Sequence, residues 1–529
     1  MRNNIFIYVF IVFIIALIIF AVYRLNNEEE TKNGQGDAST SQEEQMETEI
    51  KLAVSNFDSI NPILSNNKNI QDITKLIYEP LVNLTQDYKA EPCLATEWAK
   101  TSDTEYIVKL REGVKWSDGT AFTADDVLFT IDRLKEITSI YSYNVQYVIA
   151  VDIVDDYTVK ITLDRNIPFF EYNLTFPILS AKYYEGEDFA TSTKNSNPVG
   201  TGMFKISDAQ PESITLAKNE TWWNKNNKNA ILQTIKVNIN SSMAEVYNSF
   251  KMGNIDLVST SNLNYTNYIG TIGYGIREYS GREHIFLALN TQNALLSNLE
   301  VRQAISYAID KNNIISSVFG GNAYTSDFPL SYGSWLYDGT DTNSIYSQEQ
   351  ANQVLQDAGW TRGRTMWSKR INNRTQRISL NLMVKASDAN RVSVANIIKQ
   401  QLEAIGITIN INSLSDEQYN AAIANKGYDI LLANSTVSAS PNLTTYFGEG
   451  NLANYTNQEV SAIMQEVNNT TDENILKEKY KRLKEIYKTD IPYISLYTNK
   501  NIVAYNTELA GEVASNWFYL FYNIENWYK

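Results

Sequence analysis

An almost unbroken apolar run, residues 5–22 (IFIYVFIVFIIALIIFAV), opens the chain, with no charge between Arg2 and Arg24. A run of roughly 20 apolar residues can cross the hydrocarbon core as a helix, whereas a leader peptide is shorter and ends on small residues. Here the run ends on Ile18, Ile19 and Phe20 without an A-x-A site, so an uncleaved anchor over 1–25 is expected, a cleaved leader being the alternative. Residues 26–48 are polar and acidic and read as a disordered linker. From Glu49 the pattern changes to short period-two stretches alternating with helical ones, which predicts an α/β body. Strands are expected from Glu49, at Tyr106, Val108 and Leu110, at Val159, Ile161 and Leu163, and at 285–289. Thr123 with Asp126 forms a capping pair ahead of a helix that aligns Val127, Ile131 and Leu134, and further helices are expected at 299–310, 348–357, 391–405 and 472–488. No fixed-period repeat appears, so a solenoid or propeller is not supported.

Composition narrows the chemistry. The 529 residues carry 45 basic and 60 acidic side chains, a formal charge of −15, which argues against non-specific nucleic-acid binding. One cysteine, Cys93, excludes an intramolecular disulfide and a Cys-rich metal site, and one histidine, His284, removes His-based zinc sites and most hydrolase triads. His284, beside an apolar strand, reads as a buried hydrogen-bonding group, and Cys93, with no histidine near it in sequence, as a packed thiol. No catalytic or metal-ligating residue and no cofactor is assigned, and the chain is not expected to be an enzyme. There is no Gly-rich phosphate loop ending in Lys-Ser/Thr, so any ATP hydrolysis belongs to a partner. With basic residues narrowly favouring the N-terminal side of the apolar run, the body is expected outside the cytoplasm, tethered to the cell membrane by a single pass.

An ordered series of short motifs runs through the body. It includes Leu76-Ile-Tyr-Glu-Pro-Leu, Tyr106-Ile-Val-Lys-Leu-Arg-Glu-Gly-Val-Lys-Trp-Ser-Asp-Gly-Thr, Thr123-Ala-Asp-Asp-Val, Pro198-Val-Gly-Thr-Gly-Met-Phe and Trp222-Trp223. Val301-Arg-Gln-Ala-Ile-Ser-Tyr-Ala-Ile-Asp-Lys, Asp357-Ala-Gly-Trp, Gly427-Tyr-Asp-Ile and Ile491-Pro-Tyr-Ile-Ser-Leu follow. In order and spacing the series resembles the family 5 extracellular solute-binding proteins of ABC importers, which include oligopeptide-, dipeptide- and nickel-binding members. The resemblance implies an α/β, two-lobed periplasmic-binding-protein-like fold (type II, large three-domain variant), here behind an N-terminal transmembrane anchor. It implies a base domain from 49–77, 195–283 and 497–529, an inserted domain at 78–194 and a second lobe at 284–496. By the same resemblance the chain would cross between lobes near 284–288 and 496–499. The implied function is capture of an extracellular solute, a peptide first of all, by hinge closure and delivery to the transmembrane subunits of an ABC permease. The body is expected to be a monomer. A membrane-tethered sensor, or a receptor for a neutral oligosaccharide, is the alternative.

Resemblance also points to the ligand edge. Peptide-binding members carry an aspartate shortly before a proline after the strand that matches Tyr428-Asp-Ile, and it pairs with the peptide α-ammonium. Here Val437 or Ser438 takes that place, and no Asp or Glu occurs between Ile430 and Gly448. A buried ammonium without a partner costs several kcal/mol, so a free N-terminus is not expected to be recognised in the usual way. The expected contacts are Ser65, Asn66 and Asn67 from the first lobe and Asn434, Ser435, Thr436, Val437 and Ser438 from the second. Of the 34 Tyr, 19 Phe and 9 Trp, those at Tyr265, Tyr268, Trp335 and Tyr446 lie in loop-like sequence suited to lining a cleft.

Overall fold

In the computed structural model the described residues are 48–529, without 265, 266, 268, 271, 272, 338–345 and 372. The apolar run at 5–22, the linker and the candidate cleft residues Tyr265 and Tyr268 lie outside them. Among the described residues no helix is long and apolar enough to cross a membrane.

The alternation that starts at Glu49 forms the strand Glu49–Ser55, with Ile50, Leu52 and Val54 buried. It pairs in parallel with Thr234–Asn240, and Ser213–Lys218 and Phe204–Gln210 complete a four-stranded sheet. A second four-stranded sheet is antiparallel throughout, in the order Ala95–Ser102, Glu105–Leu110, Thr158–Leu163, Val148–Asp155. The helix Ala124–Glu136 buries Val127, Ile131 and Leu134, and the Thr123 amide donates to Asp126 Oδ2 at 2.9 Å, as the capping pair requires. Both sheets share one apolar core, which residues as late as Val503, Leu520 and Trp527 also enter.

The largest sheet has seven strands. Its centre is two long antiparallel strands, Tyr274–Leu289 and Tyr493–Asn506, flanked by Ile430–Thr436, Ser379–Lys385 and Thr408–Leu414 on one side and by Leu257–Thr260 and Ala323–Thr325 on the other. Tyr274 to Ser280 pair with Lys500 to Asn506, next to the strand Leu257–Thr260. His284 to Ala288 pair with Tyr493 to Thr498 and lie against Ile430–Thr436. Between Ser280 and His284 the register slips. Ile285, Leu287 and Leu289 then pack into a second core with the helices Leu299–Ala308 and Ala389–Ala404, while Phe286 and Ala288, on the opposite face, enter a third.

Helix expectations hold with small shifts at the ends. Gln348–Asp357 has its predicted bounds, and Glu473–Asp490 begins one residue after its cap Asp472, whose carboxylate accepts the Asn474 and Ile475 amides.

The motif fragments find one another in space. Gly202 N–H donates to Ile77 O and Phe204 N–H to Leu76 O, so the Pro198 motif lies against the Leu76 motif. Both glycines are needed for that approach: a Cβ at Gly200 would fall 2.0 Å from Ile77 O, and one at Gly202 2.6 Å from Leu76 O. Trp222 and Trp223 donate their indole N–H groups to the two oxygens of Glu79 at 2.9 and 2.8 Å. Trp116 donates to Asp126 Oδ2 at 3.2 Å, and the Ala181 amide donates to Asp126 Oδ1 at 2.8 Å. The Trp116-Ser-Asp-Gly element is thus held in place by a buried carboxylate.

Candidate functional site: an aromatic cavity at the register break

A cavity of about 510 Å³ opens beside the slip in the two long strands. Four stretches far apart in sequence build it: Thr85 to Tyr88, Glu278 to Ser280, Tyr324 with Tyr332 and Gly333, and Ser515 to Tyr522. Its size falls in the range for sites that enclose small solutes. Five tyrosines reach it, Tyr88, Tyr279, Tyr324, Tyr332 and Tyr522, and the rings of Tyr324 and Tyr332 stack at 5.3 Å.

Polar side chains fix the walls. Asn516 donates to Gln86 O at 3.1 Å and accepts the Phe518 and Tyr519 amides, joining two of the four stretches. Lys500 pairs with Glu278 at 3.0 Å and sits 4.7 Å from the Tyr324 ring centre. Ser280 Oγ and Thr498 Oγ1 lie 3.1 Å apart across the break. Tyr88 has φ +64°, a left-handed conformation rare for a bulky residue, and in it the ring stacks on Trp517 at 5.1 Å. Such conformations persist only where the surroundings impose them, and they cluster at functional sites. The Arg282 guanidinium is 4.6 Å from the Trp517 ring centre, so Tyr88, Trp517 and Arg282 form a short ladder.

The expected contact residues fall into two separate groups. Ser65 is buried and donates to Asp58 Oδ1 at 2.6 Å, and the Asn66 amide donates to Asp58 Oδ2 at 2.8 Å. Asn67 caps the helix Lys68–Thr74 and donates to Ser55 O, so these residues shape the turn after the first strand. Asn434 bridges Arg391 and Glu283, accepting from the first at 2.8 Å and donating to the second at 3.1 Å. Ser435 Oγ is 2.5 Å from Tyr446 Oη. Thr436 is exposed opposite Glu283. Val437 is buried and exchanges backbone and side-chain bonds with Arg282: its amide donates to Arg282 O at 2.8 Å, and Arg282 Nε donates to its carbonyl at 3.1 Å. Ser438 O accepts from Ser331 Oγ at 3.0 Å, next to Tyr332 and Gly333 of the cavity. Ser438 therefore links the 434–438 group to the segment that carries Tyr332 and Gly333. Among the described residues no hydrogen bond joins it to Ser65, Asn66 or Asn67.

Two singled-out aromatics also lie here. The Trp335 amide donates to Asp87 O at 2.9 Å and its indole donates to Tyr172 at 3.3 Å. Tyr446 is buried between Ser435 and His284, whose Nδ1 is 3.1 Å from Tyr446 Oη. His284 is wholly buried against Phe286, and burial with the nearby Lys311 charge lowers its pKa to about 3, which keeps it neutral. Cys93 is buried, and desolvation pushes its thiol well above the ordinary value, as a packed thiol demands. Sequence reasoning singled out none of the cavity tyrosines, nor Arg282. The four stretches share no local periodicity, and contacts between residues distant in sequence, such as Asn516 to Gln86, bring them together.

A family model for bacterial extracellular solute-binding proteins of family 5 matches residues 89–454. Among curated proteins, the chain is 25% identical over 495 residues to the probable D,D-dipeptide-binding periplasmic protein DdpA of Escherichia coli K12, covering 89% of this chain and 92% of that protein. It is 24% identical over 493 residues to the oligopeptide-binding protein AppA of Bacillus subtilis 168, covering 88% and 89%. Among solved structures, the unliganded open form of the periplasmic murein tripeptide-binding protein MppA aligns with a TM-score of 0.75 at 18% identity, over 91% of this chain and 95% of that one. HbpA2 from Haemophilus parasuis aligns at 0.74 and 21%, over 90% and 99%. With the family model matching residues 89–454, most of the body, this chain belongs to the bacterial extracellular solute-binding proteins of family 5.

Proposed function

We propose that the protein captures a peptide outside the cytoplasm and passes it, chemically unchanged, to an ABC permease. The cavity at the register break carries this reading, because its walls come from chain on either side of the proposed crossings, Thr85 to Tyr88, Glu278 to Ser280 and Ser515 to Tyr522 from the first lobe and Tyr324 and Tyr332 from the second, and would move relative to one another if the slip acts as a hinge. Residues 49–77, 195–283 and 497–529 would form the base, 78–194 an inserted domain and 284–496 the second lobe. A solute touching Tyr88 and Asn516 on one side and Tyr332 on the other would favour the closed arrangement by its differential contacts. Ser65, Asn66 and Asn67, together with Asn434 to Ser438, would line the mouth. A span at 5–22 would tether the body to the membrane and keep it near the permease, and the receptor would work as a monomer.

Mass spectrometry of small molecules released from the full chain, purified in mild detergent, tests the assignment. Peptides of a few residues are expected. A neutral glycan in their place would redirect the function to sugar uptake, for which stacked tyrosines are equally suited. Release of a cleaved product from an added peptide would overturn the binding role.

A further inference from the structure

Resting on the solute-binding function proposed above, we infer that Arg282 is the anchoring group for a carboxylate of the bound solute, so that the receptor selects an acidic end and not an amino end.

The side chain is fixed before any solute arrives. Its Nε is held by Val437 O at 3.1 Å, its own carbonyl accepts the Val437 amide at 2.8 Å, and its guanidinium lies on Trp517. These contacts leave both terminal nitrogens with no protein hydrogen-bond partner or carboxylate among the described residues. Arginine presents paired N–H groups in a planar fork that matches a carboxylate, and stacking and Nε contacts of this kind remove much of the entropy cost of binding one.

The surroundings reinforce the sign. The stretch 430–448 contains no acid. Glu283 alternates to the other face of the strand, where it accepts from Asn434 at 3.1 Å. Lys75 lies close by, with its ammonium 4.0 Å from the Phe518 ring centre and donating to the Phe518 carbonyl, and among the described residues it forms no salt bridge. Desolvation by burial, helped by the Lys68 and Arg282 charges and opposed by Asp72, lowers its pKa to about 7. Asp72, whose charge acts on Lys75, is engaged by Lys68. Within the cavity Glu278 is paired with Lys500, and Asp87 accepts the Thr85 hydroxyl at 2.5 Å.

Trialanine in three terminal forms separates the possibilities: N-acetylated with a free carboxylate, N-acetylated with a C-terminal amide, and free-amine with a C-terminal amide. Affinities for the full chain would be measured by calorimetry in detergent, for the parent protein and for Arg282→Gln and Lys75→Met. The free carboxylate should improve binding at least about tenfold over the doubly blocked form. Arg282→Gln should erase that ratio, and Lys75→Met should reduce it. The ratio is the decisive quantity, since a loss of packing alone would weaken all three forms together. A free-amine form that binds as well as the carboxylate form, or a ratio unchanged in Arg282→Gln, would refute the carboxylate anchor and leave peptide capture standing. Failure of all three forms to bind the parent protein would refute peptide capture, and the anchor with it.

Discussion

Burial pushes the Glu79 carboxyl up from its ordinary 4.5 to about 7, although two indole donors pull it the other way. The folded protein therefore keeps a proton on Glu79 over a range in which the unfolded chain has released it, and stability should fall as pH rises from 4.5 to 7. Glu79→Gln should flatten that slope, which is on the order of 2–3 kcal/mol across the window, in urea titrations at several pH values. His284 acts in the opposite sense. Its folded pKa of about 3 lies below the ordinary 6.5, so its contribution is complete above 6.5 and is lost as pH falls toward 3. Asp126→Ala should cost about 3 kcal/mol, read as a lower urea midpoint, because it strands the buried Trp116 indole and the half-buried Thr123 and Ala181 amides. Much at this scale was legible in the sequence: Thr123 and Asp126 announced their cap, and His284 and Cys93 were recognisable as packed groups by the absence of partners suited to chemistry. The meeting of Glu79 with Trp222 and Trp223 was not, because nothing local in a Tyr-Glu-Pro segment specifies which distant indoles it will accept.

Elements follow the hydrophobic pattern closely wherever one face is buried. The strand from Glu49, the strands around Val108 and Ile161 and the helix Gln348–Asp357 all declare themselves by period, since water on one side and core on the other enforce it. The two glycines of the Pro198 motif were legible as a motif but not as a cause, which is the backbone of Leu76 and Ile77 pressed against them. Gly200→Ala should therefore destabilise by about 3 kcal/mol or more, and thermal melting should show it without change in secondary structure at low temperature. The slip at 280–284 was hidden for a different reason. Gly281 admits the Asn499 side chain, whose oxygen accepts the Glu283 amide at 3.0 Å, and a Cβ there would fall 2.3 Å from that amide group. Such a bulge depends on the partner strand, which no window of local sequence contains.

Across the whole molecule, one bridge near the cavity is Trp335, whose amide bonds Asp87 O and whose indole bonds Tyr172, while Leu84 and Phe169 pack into the third core with Phe286 and Tyr337. The Lys89–Glu473 pair at 2.6 Å is well exposed and contributes under about 1 kcal/mol. Trp335→Ala is expected to enlarge the radius of gyration of the unliganded protein in X-ray scattering and to weaken solute binding, whereas Lys89→Ala should change neither. An unchanged radius in Trp335→Ala would mean that these contacts do not hold the walls of the cavity together. The core that starts with Ile50 is completed only by Val503, Leu520 and Trp527. A nascent polypeptide thus cannot seal its first hydrophobic interior until almost all of it has been synthesised, and contacts so distant in sequence form slowly. During that delay it stays a loose thread, the state in which a chain can be passed through a narrow secretory pore, and trimming it near residue 515 should leave a product that chaperones retain and proteases destroy.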